Sequence, residues 1–224
     1  MENSSDIIEK LVDCYDRELS PSLIFSSEDM ERLVSDSDSE VRAWLAKALV
    51  MDSCNVASLK ILCRLSSDPD PDVRVEAIDS LGEYICVDSL NVLTKALKDS
   101  DSLVRGYAAF GVSNVGRIID PTGAKLELLT LEQKEEEEFV LVGIYEGLHL
   151  LGEKLYLEKL FSLFCSSDYR IQCAVIHSLE NVLTEDNAEQ IGCFINKNDF
   201  TVYPKAVKCA IESLNSKCTA WARL

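Results

Sequence analysis

The sequence predicts an all-α protein: a right-handed α-α superhelix of about six stacked helix pairs, read as one repeat domain over residues 1–224. Three observations predict it. An acidic turn running into an apolar helix recurs: Asp36-Ser37-Asp38-Ser39-Glu40-Val41-Arg42, Asp68-Pro69-Asp70-Pro71-Asp72-Val73-Arg74 and Asp99-Ser100-Asp101-Ser102-Leu103-Val104-Arg105. Val41, Val73 and Val104 stand 32 and 31 residues apart, a period that marks a helical repeat array. Glycine and proline are sparse, and no hairpin signal stands out.

Each turn is a helix start. Asp and Ser accept hydrogen bonds from the free amides of a first turn, and the acidic charge suits the positive end of the helix dipole. Pro71 fits at a first helical position, where a missing amide proton costs little. From Val73 the apolar residues fall at +4 (Ala77), +5 (Ile78) and +8 (Leu81), which is one helix face. A helix with one apolar stripe must bury it on a neighbour, so the copies stack.

The copies continue in weaker form. Val140, Ile144, Leu148 and Leu151 keep the spacing; Ile171, Val175 and Leu179 repeat it; Ala206, Ala210 and Leu214 make the last. The start positions are thus separated by 32, 31, 36, 31 and 35 residues. Position +7 is small in every copy: Ala48, Ser80, Gly111, Gly147, Ser178 and Ser213.

The remaining elements follow in order. Residues 6–18 form an amphipathic helix with Ile7, Leu11, Val12 and Tyr15 on one face, an acidic N-terminal cap (residues 1–20) ended by Ser20-Pro21. Ser26-Ser27-Glu28-Asp29 starts the first helix of the first pair. Later first helices are predicted near 54–65, 88–97, 125–138, 154–164 and 187–195, with Asn55, Asp88 and Asn187 as caps. Residues 117–124 lengthen one gap, and their Asp-Pro and Thr-Gly pairs predict a loop. The run Glu135-Glu136-Glu137-Glu138 suits a helix N-terminus.

The pattern Asp-x-x-Val-Arg-x-x-Ala-x-x-Ala-Leu resembles HEAT repeats, especially the short type of the phycobilisome lyases, over roughly residues 20–216. The resemblance implies a ladder of hydrogen bonds between the Asp and Arg residues of successive loops, here supplied by Arg42, Arg74 and Arg105. Leu141, Gln172 and Val207 replace the arginine in the last three copies, so the ladder is expected to stop after the third.

Net charge is −17, and its distribution is uneven. Residues 1–40 hold twelve acids against Lys10, Arg17 and Arg32, whereas Lys197, Lys205, Lys208, Lys217 and Arg223 make the C-terminal end basic. Such a chain repels phosphate backbones, so direct nucleic-acid binding is disfavoured, and it steers toward basic surfaces. No apolar run approaches membrane-spanning length. Nine scattered cysteines without a C-x-x-C pair, among them Cys63, Cys86, Cys173 and Cys209 on apolar faces, read as reduced thiols of a cytoplasmic protein. No metal or other cofactor is expected.

Counting from each start position, +2, +3, +6, +9 and +10 point away from the core. The +6 column reads Lys47, Asp79, Phe110, Glu146, His177 and Glu212, and the +3 column begins Trp44, Glu76, Tyr107. Acids interleaved with outward aromatics make a recognition surface, because Trp and Tyr anchor and charge steers. Trp44, Glu76, Asp79, Tyr107, Phe110, Glu146 and His177 are therefore the candidate partner-binding residues. Catalysis finds little support: His149 and His177 are the only histidines, and a Glu146–His177 acid–base pair across neighbouring helices is the one constellation available.

The predicted function is a non-enzymatic scaffold holding another protein, of basic character. A sharper alternative resembles the immunity proteins of bacterial contact-dependent competition, neutralising a basic toxin such as a nuclease. A HEAT-like lyase subunit or a DNA-glycosylase relative is a further alternative, although the charge is wrong for the latter and the repeated His-Glu pairs of HEAT-like iron hydroxylases are missing.

Overall fold

The computed structural model describes residues 3–53, 55–197 and 203–221, the last two of these without their side chains. Glu2 and Arg223, counted in the charge distribution, lie outside the described residues. Among the described residues there are α-helices and short 3-10 turns and no strand. The chain divides into two compact units, one ending at Ala124 and the other beginning at Lys125.

In the first unit, α1 (Ser4–Asp16) buries Leu11 and Cys14 and packs on α3 (Ser39–Ala48). A 3-10 turn, Pro21–Leu23, follows, as the Ser20-Pro21 break requires. Then α2 (Ser27–Leu33) opens on a capping box: Ser26 Oγ accepts from the Asp29 amide, and the Asp29 carboxylate accepts from the Ser26 amide. α4 (Val56–Leu65), capped by Asn55, precedes α5 (Pro71–Leu81), and α6 (Val87–Ala96) precedes α7 (Ser102–Ile119). The second helices stack in sequence, α3 on α5 and α5 on α7, with α4 beside α5 and α6 beside α7. Val41, Val73 and Val104 are fully buried, as are Ala77, Ile78, Leu81, Ala108 and Val112.

Polar groups on the stacked faces are joined across the repeats. Ser80 Oγ donates to the Ala46 carbonyl at 2.9 Å, Tyr84 Oη to the Leu49 carbonyl at 2.8 Å, and Asn114 Nδ2 to the Gly82 carbonyl at 2.8 Å. Each bond answers a donor that burial would otherwise strand, at a cost of about 1–3 kcal/mol. The small +7 residue has its reason here: a Cβ on Gly111 would stand 2.7 Å from Leu93 Cδ2.

The loop arginines form the expected ladder. Arg42 donates twice to Asp68, at 2.7 and 2.9 Å, and to the carbonyl of Asp36 in its own loop. Arg74 repeats this with Asp99, at 2.9 Å twice, and with the carbonyl of Asp68. Arg105 holds its own loop through the carbonyls of Asp99 and Ser100. Burial opposes ionisation of Asp68 and Asp99, yet the Arg42 and Arg74 hydrogen bonds outweigh it and hold both carboxyls below the usual range.

Residues 117–124 correct the expected loop. α7 runs on through Ile119, Asp120 makes the break, and Pro121 begins α8 (Pro121–Glu132) at once. Asp120 Oδ1 accepts the Gly123 amide, so Asp-Pro acts as a cap followed by a proline in the first turn. Gly116 permits the tight junction, since a Cβ there would collide with that of Ala124. α8 consequently lies earlier than 125–138, and the four glutamates form the turn before α9 (Glu138–Leu150). Glu135 accepts the amides of Glu136 and Glu137, as Asp68 and Asp99 accept those of Asp70 and Asp101 in their loops.

In the second unit α9, α10 (Tyr156–Leu163), α11 (Tyr169–Asn181), α12 (Ala188–Lys197) and α13 (Lys205–Trp221) follow. α11 packs on α9 and α13, with α10 against α9 and α12 against α13. One cap differs from expectation: Cys86, not Asp88, caps α6. Asn187 takes the expected place before α12, where its carbonyl accepts the Ile191 amide, while its side chain accepts the Thr184 amide and donates to the Val182 carbonyl. The last copy is shifted by one residue: Val207, Ile211, Leu214 and Cys218 are buried, while Ala206, Cys209 and Ser213 are exposed. The larger side chains take the single stripe that α13 buries, and the alanines on either side of it do not compete.

Candidate protein-binding face

The first unit brings five of the predicted residues onto neighbouring second helices. Trp44 lies on α3, Glu76 and Asp79 on α5, and Tyr107 and Phe110 on α7. The aromatics and Glu76 are half-buried and Asp79 is exposed. Because +6 of one helix adjoins +3 of the next, Lys47 Nζ lies 3.7 Å from a Glu76 oxygen. The same ammonium stands 5.3 Å from the ring centroids of both Trp44 and Tyr15, so two cation–π contacts and a carboxylate hold it. Tyr107 and Phe110 meet edge to face, with centroids 6.4 Å apart.

Charge on this face is out of balance. Asp79 is open to water, but the protein around it displaces solvent, and Glu76 and Glu83 repel its charge. These effects push its pKa up to about 6, against a smaller lowering by Lys47. Glu76 is shifted upward for the same first reason, offset in part by Lys47. Burial, with the two carboxylates Asp79 and Glu76, also raises the Tyr107 hydroxyl.

The second unit treats its two candidates differently. Glu146, predicted to point outward, is buried at 5% exposure. α9 is apolar on nearly every side, with Val140, Val142, Gly143, Ile144, Gly147 and Leu148 all buried, and it takes Glu146 inside with them. Its Oε1 accepts from Asn181 Nδ2 at 3.1 Å, while Oε2 and the nearby Ser178 Oγ lack a hydrogen-bond partner among the described residues. Burial pushes the Glu146 carboxyl up. His177 is exposed on α11, so a buried acid and a solvent-facing imidazole do not form the predicted pair. Glu146 is therefore a packing residue and not part of an exposed face.

Two contributors escaped the sequence reading as site residues. Lys47 stood in the +6 column without a role, and its pairing becomes visible only with Glu76 and the two rings around it. Tyr15 lies outside the repeat, so no period could align it. Among the described residues no group of His, Cys, Asp and Glu could hold a metal ion, and no helix is long and apolar enough to cross a membrane.

Comparison with known proteins agrees with the repeat reading. Residues 28–117 match the family model of HEAT repeats. The solved complex of CpcE and CpcF of phycocyanin lyase from Nostoc sp. PCC7120 is similar over 87% of this chain and 95% of that one, at 16% identity and a TM-score of 0.51. A crystallised engineered protein is similar over 88% of this chain and 99% of its own, at 18% identity and a TM-score of 0.50. No curated protein matches the sequence. The expected all-α, HEAT-like repeat scaffold is borne out; at these identities the solved structures speak for the fold alone.

Proposed function

We propose that this chain is a non-enzymatic, protein-binding scaffold that holds a basic partner on the face formed by α3, α5 and α7. The observation that carries the reading is the assembly of Trp44, Glu76, Asp79, Tyr107 and Phe110 on three consecutive stacked helices, with a surplus of carboxylate charge. Half-buried aromatics supply anchoring area at low entropic cost, and the acids steer a basic surface into register. The net charge of −17 strengthens the same preference at long range. HEAT repeats as a class serve as platforms for other proteins, and the match at residues 28–117 spans this face.

The charge also favours the inhibitor form of this role, in which the acidic face covers the substrate-binding surface of a basic toxin in the cytoplasm. The lyase-subunit alternative rests on fold likeness to the phycocyanin lyase complex and has no residue on this face to carry it.

Affinity capture from host lysate tests the reading, comparing the wild type with a Trp44→Ala/Tyr107→Ala/Phe110→Ala variant. A basic protein retained by the wild type and lost by a folded variant is the expected result. Equal capture of the same partner by both would remove the face from the interaction.

A further inference from the structure

The loops that lead into α3, α5 and α7 are built alike. In each, the first aspartate accepts the amide two residues on: Asp36 Oδ1 from Asp38, Asp68 Oδ1 from Asp70 and Asp99 Oδ1 from Asp101, all at 2.9 Å. In each, the arginine six residues on donates to that aspartate's carbonyl: Arg42 to Asp36 at 2.7 Å, Arg74 to Asp68 at 2.9 Å and Arg105 to Asp99 at 3.0 Å. The second aspartate then caps the helix, Asp38 for α3, Asp70 for α5 and Asp101 for α7.

The loops differ in one respect. Asp68 and Asp99 each receive a guanidinium from the preceding loop, Nε on Oδ2 and Nη2 on Oδ1, at 2.7 and 2.9 Å for Arg42 and at 2.9 Å twice for Arg74. Asp36 receives none: among the described residues its Oδ2 accepts no hydrogen bond. α1 packs on α3 where a preceding second helix would stand, and Arg17 at its end is paired with Asp13. Arg42, held on the Asp36 carbonyl, does not close the slot. Asp68 carries Arg74 on its own carbonyl in the same way and still binds Arg42 through both carboxylate oxygens. The ligand that this carboxylate position takes is thus seen twice inside the chain, and the first position stands open. Asp36 is half-buried, which limits the competition of water, and residues 36–42 hold three acids against one arginine.

We propose that Asp36 is the open end of the ladder and seats one arginine side chain of the basic partner. This rests on the proposed function and names a group that the chain recognises at the start of α3, the helix that carries Trp44. Arginine is selected over lysine because the seat is filled elsewhere by two parallel N–H bonds from one planar group, whereas an ammonium places a single bond there. The partner's arginine continues the ladder by one rung beyond the chain's own.

The test is an amide-resolved NMR titration of the full chain at low salt with the peptide acetyl-Gly-Arg-Gly-amide, its lysine counterpart and its neutral citrulline counterpart. The arginine peptide is expected to shift the amides of residues 36–42, the lysine peptide to bind there about threefold more weakly, and the citrulline peptide to shift none of them. Asp36→Asn should weaken arginine binding about fivefold, whereas Asp72→Asn at the exposed start of α5, an equal loss of charge, should change it by less than about twofold. Asparagine keeps an acceptor for the Asp38 amide, so the spectrum of Asp36→Asn should stay dispersed, which separates lost binding from lost fold. Equal binding of the arginine and lysine peptides, no shift at residues 36–42, or undiminished binding to Asp36→Asn overturns the seat. The captured partner separates this from the face: a partner lost by the Trp44→Ala/Tyr107→Ala/Phe110→Ala variant but held equally by Asp36→Asn overturns the seat and leaves the face standing.

Discussion

Asp79 and Glu146 hold the same position in the repeat and meet opposite fates. Both stand at +6, both are carboxylates, and both are shifted toward the neutral form first by burial. Asp79 lies on a helix whose opposite face alone is apolar, and it stays at the surface without a hydrogen-bond partner among the described residues. Glu146 lies on a helix apolar on nearly every side, and it is enclosed with one oxygen bonded to Asn181. A repeat column therefore gives direction only while the neighbouring residues keep the helix one-sided. The first unit keeps that condition and presents the proposed binding face, whereas at α9 the condition fails and a candidate partner-binding acid becomes part of the core.

The loops offer a parallel contrast. Arg42 and Arg74 each reach the carbonyl six residues back and the aspartate of the next loop. Gln172 makes only the first of these bonds, to the Ser166 carbonyl at 2.7 Å, while Asp168 pairs with Arg170 inside the same loop. The shorter amide keeps the loop closed and gives up the link. Arg74→Ala should therefore have the largest effect, about 2–4 kcal/mol in urea unfolding, because it strands Asp99 and frees two loop carbonyls at a site only 14% exposed. The contrast breaks if Gln172→Ala costs as much; the expected loss there is about 1 kcal/mol.

Glu146→Gln should raise stability at pH 8 by on the order of 1–3 kcal/mol, since it removes a charge with no partner on Oε2 and preserves the acceptor for Asn181. The sign follows from linkage. A carboxyl raised above its ordinary 4.5 holds its proton in the folded state, so wild-type stability falls as pH climbs past that value. The variant should lack this fall and match the wild type at pH 4, as thermal unfolding across the range would register. Asp79→Asn should raise stability at pH 8 by only about 1 kcal/mol, less than the full linkage of its raised carboxyl because water screens an exposed charge. Its wild-type carboxyl should nonetheless titrate near pH 6 when followed by carbon NMR.

The repeat itself was legible because valine, arginine and the acidic turn recur at fixed offsets, and burial of Val41, Val73 and Val104 follows from that recurrence. The ladder was legible only through the resemblance to HEAT repeats, yet its acid slot extends to Glu135, which a charge run of four glutamates concealed. The failures share a physical origin in competition between signals. Asp120-Pro121 carries the letters of a loop and of a helix start, and the length of α7 decides between them. Ala206 and Val207 both fit the last stripe, and the larger apolar side chain takes the buried place. Of the candidate face, Trp44, Glu76, Asp79, Tyr107 and Phe110 were readable from the helical wheel. Tyr15 was not, because it reaches Lys47 from a helix outside the period.

The most direct test is hydrogen exchange on the chain alone and with its captured basic partner, read along α3, α5 and α7. The account predicts slowed exchange centred on residues 44–47, 76–83 and 107–110, weaker at high salt. Protection confined to α1, or to α9 through α13, with those three stretches unchanged, would contradict it.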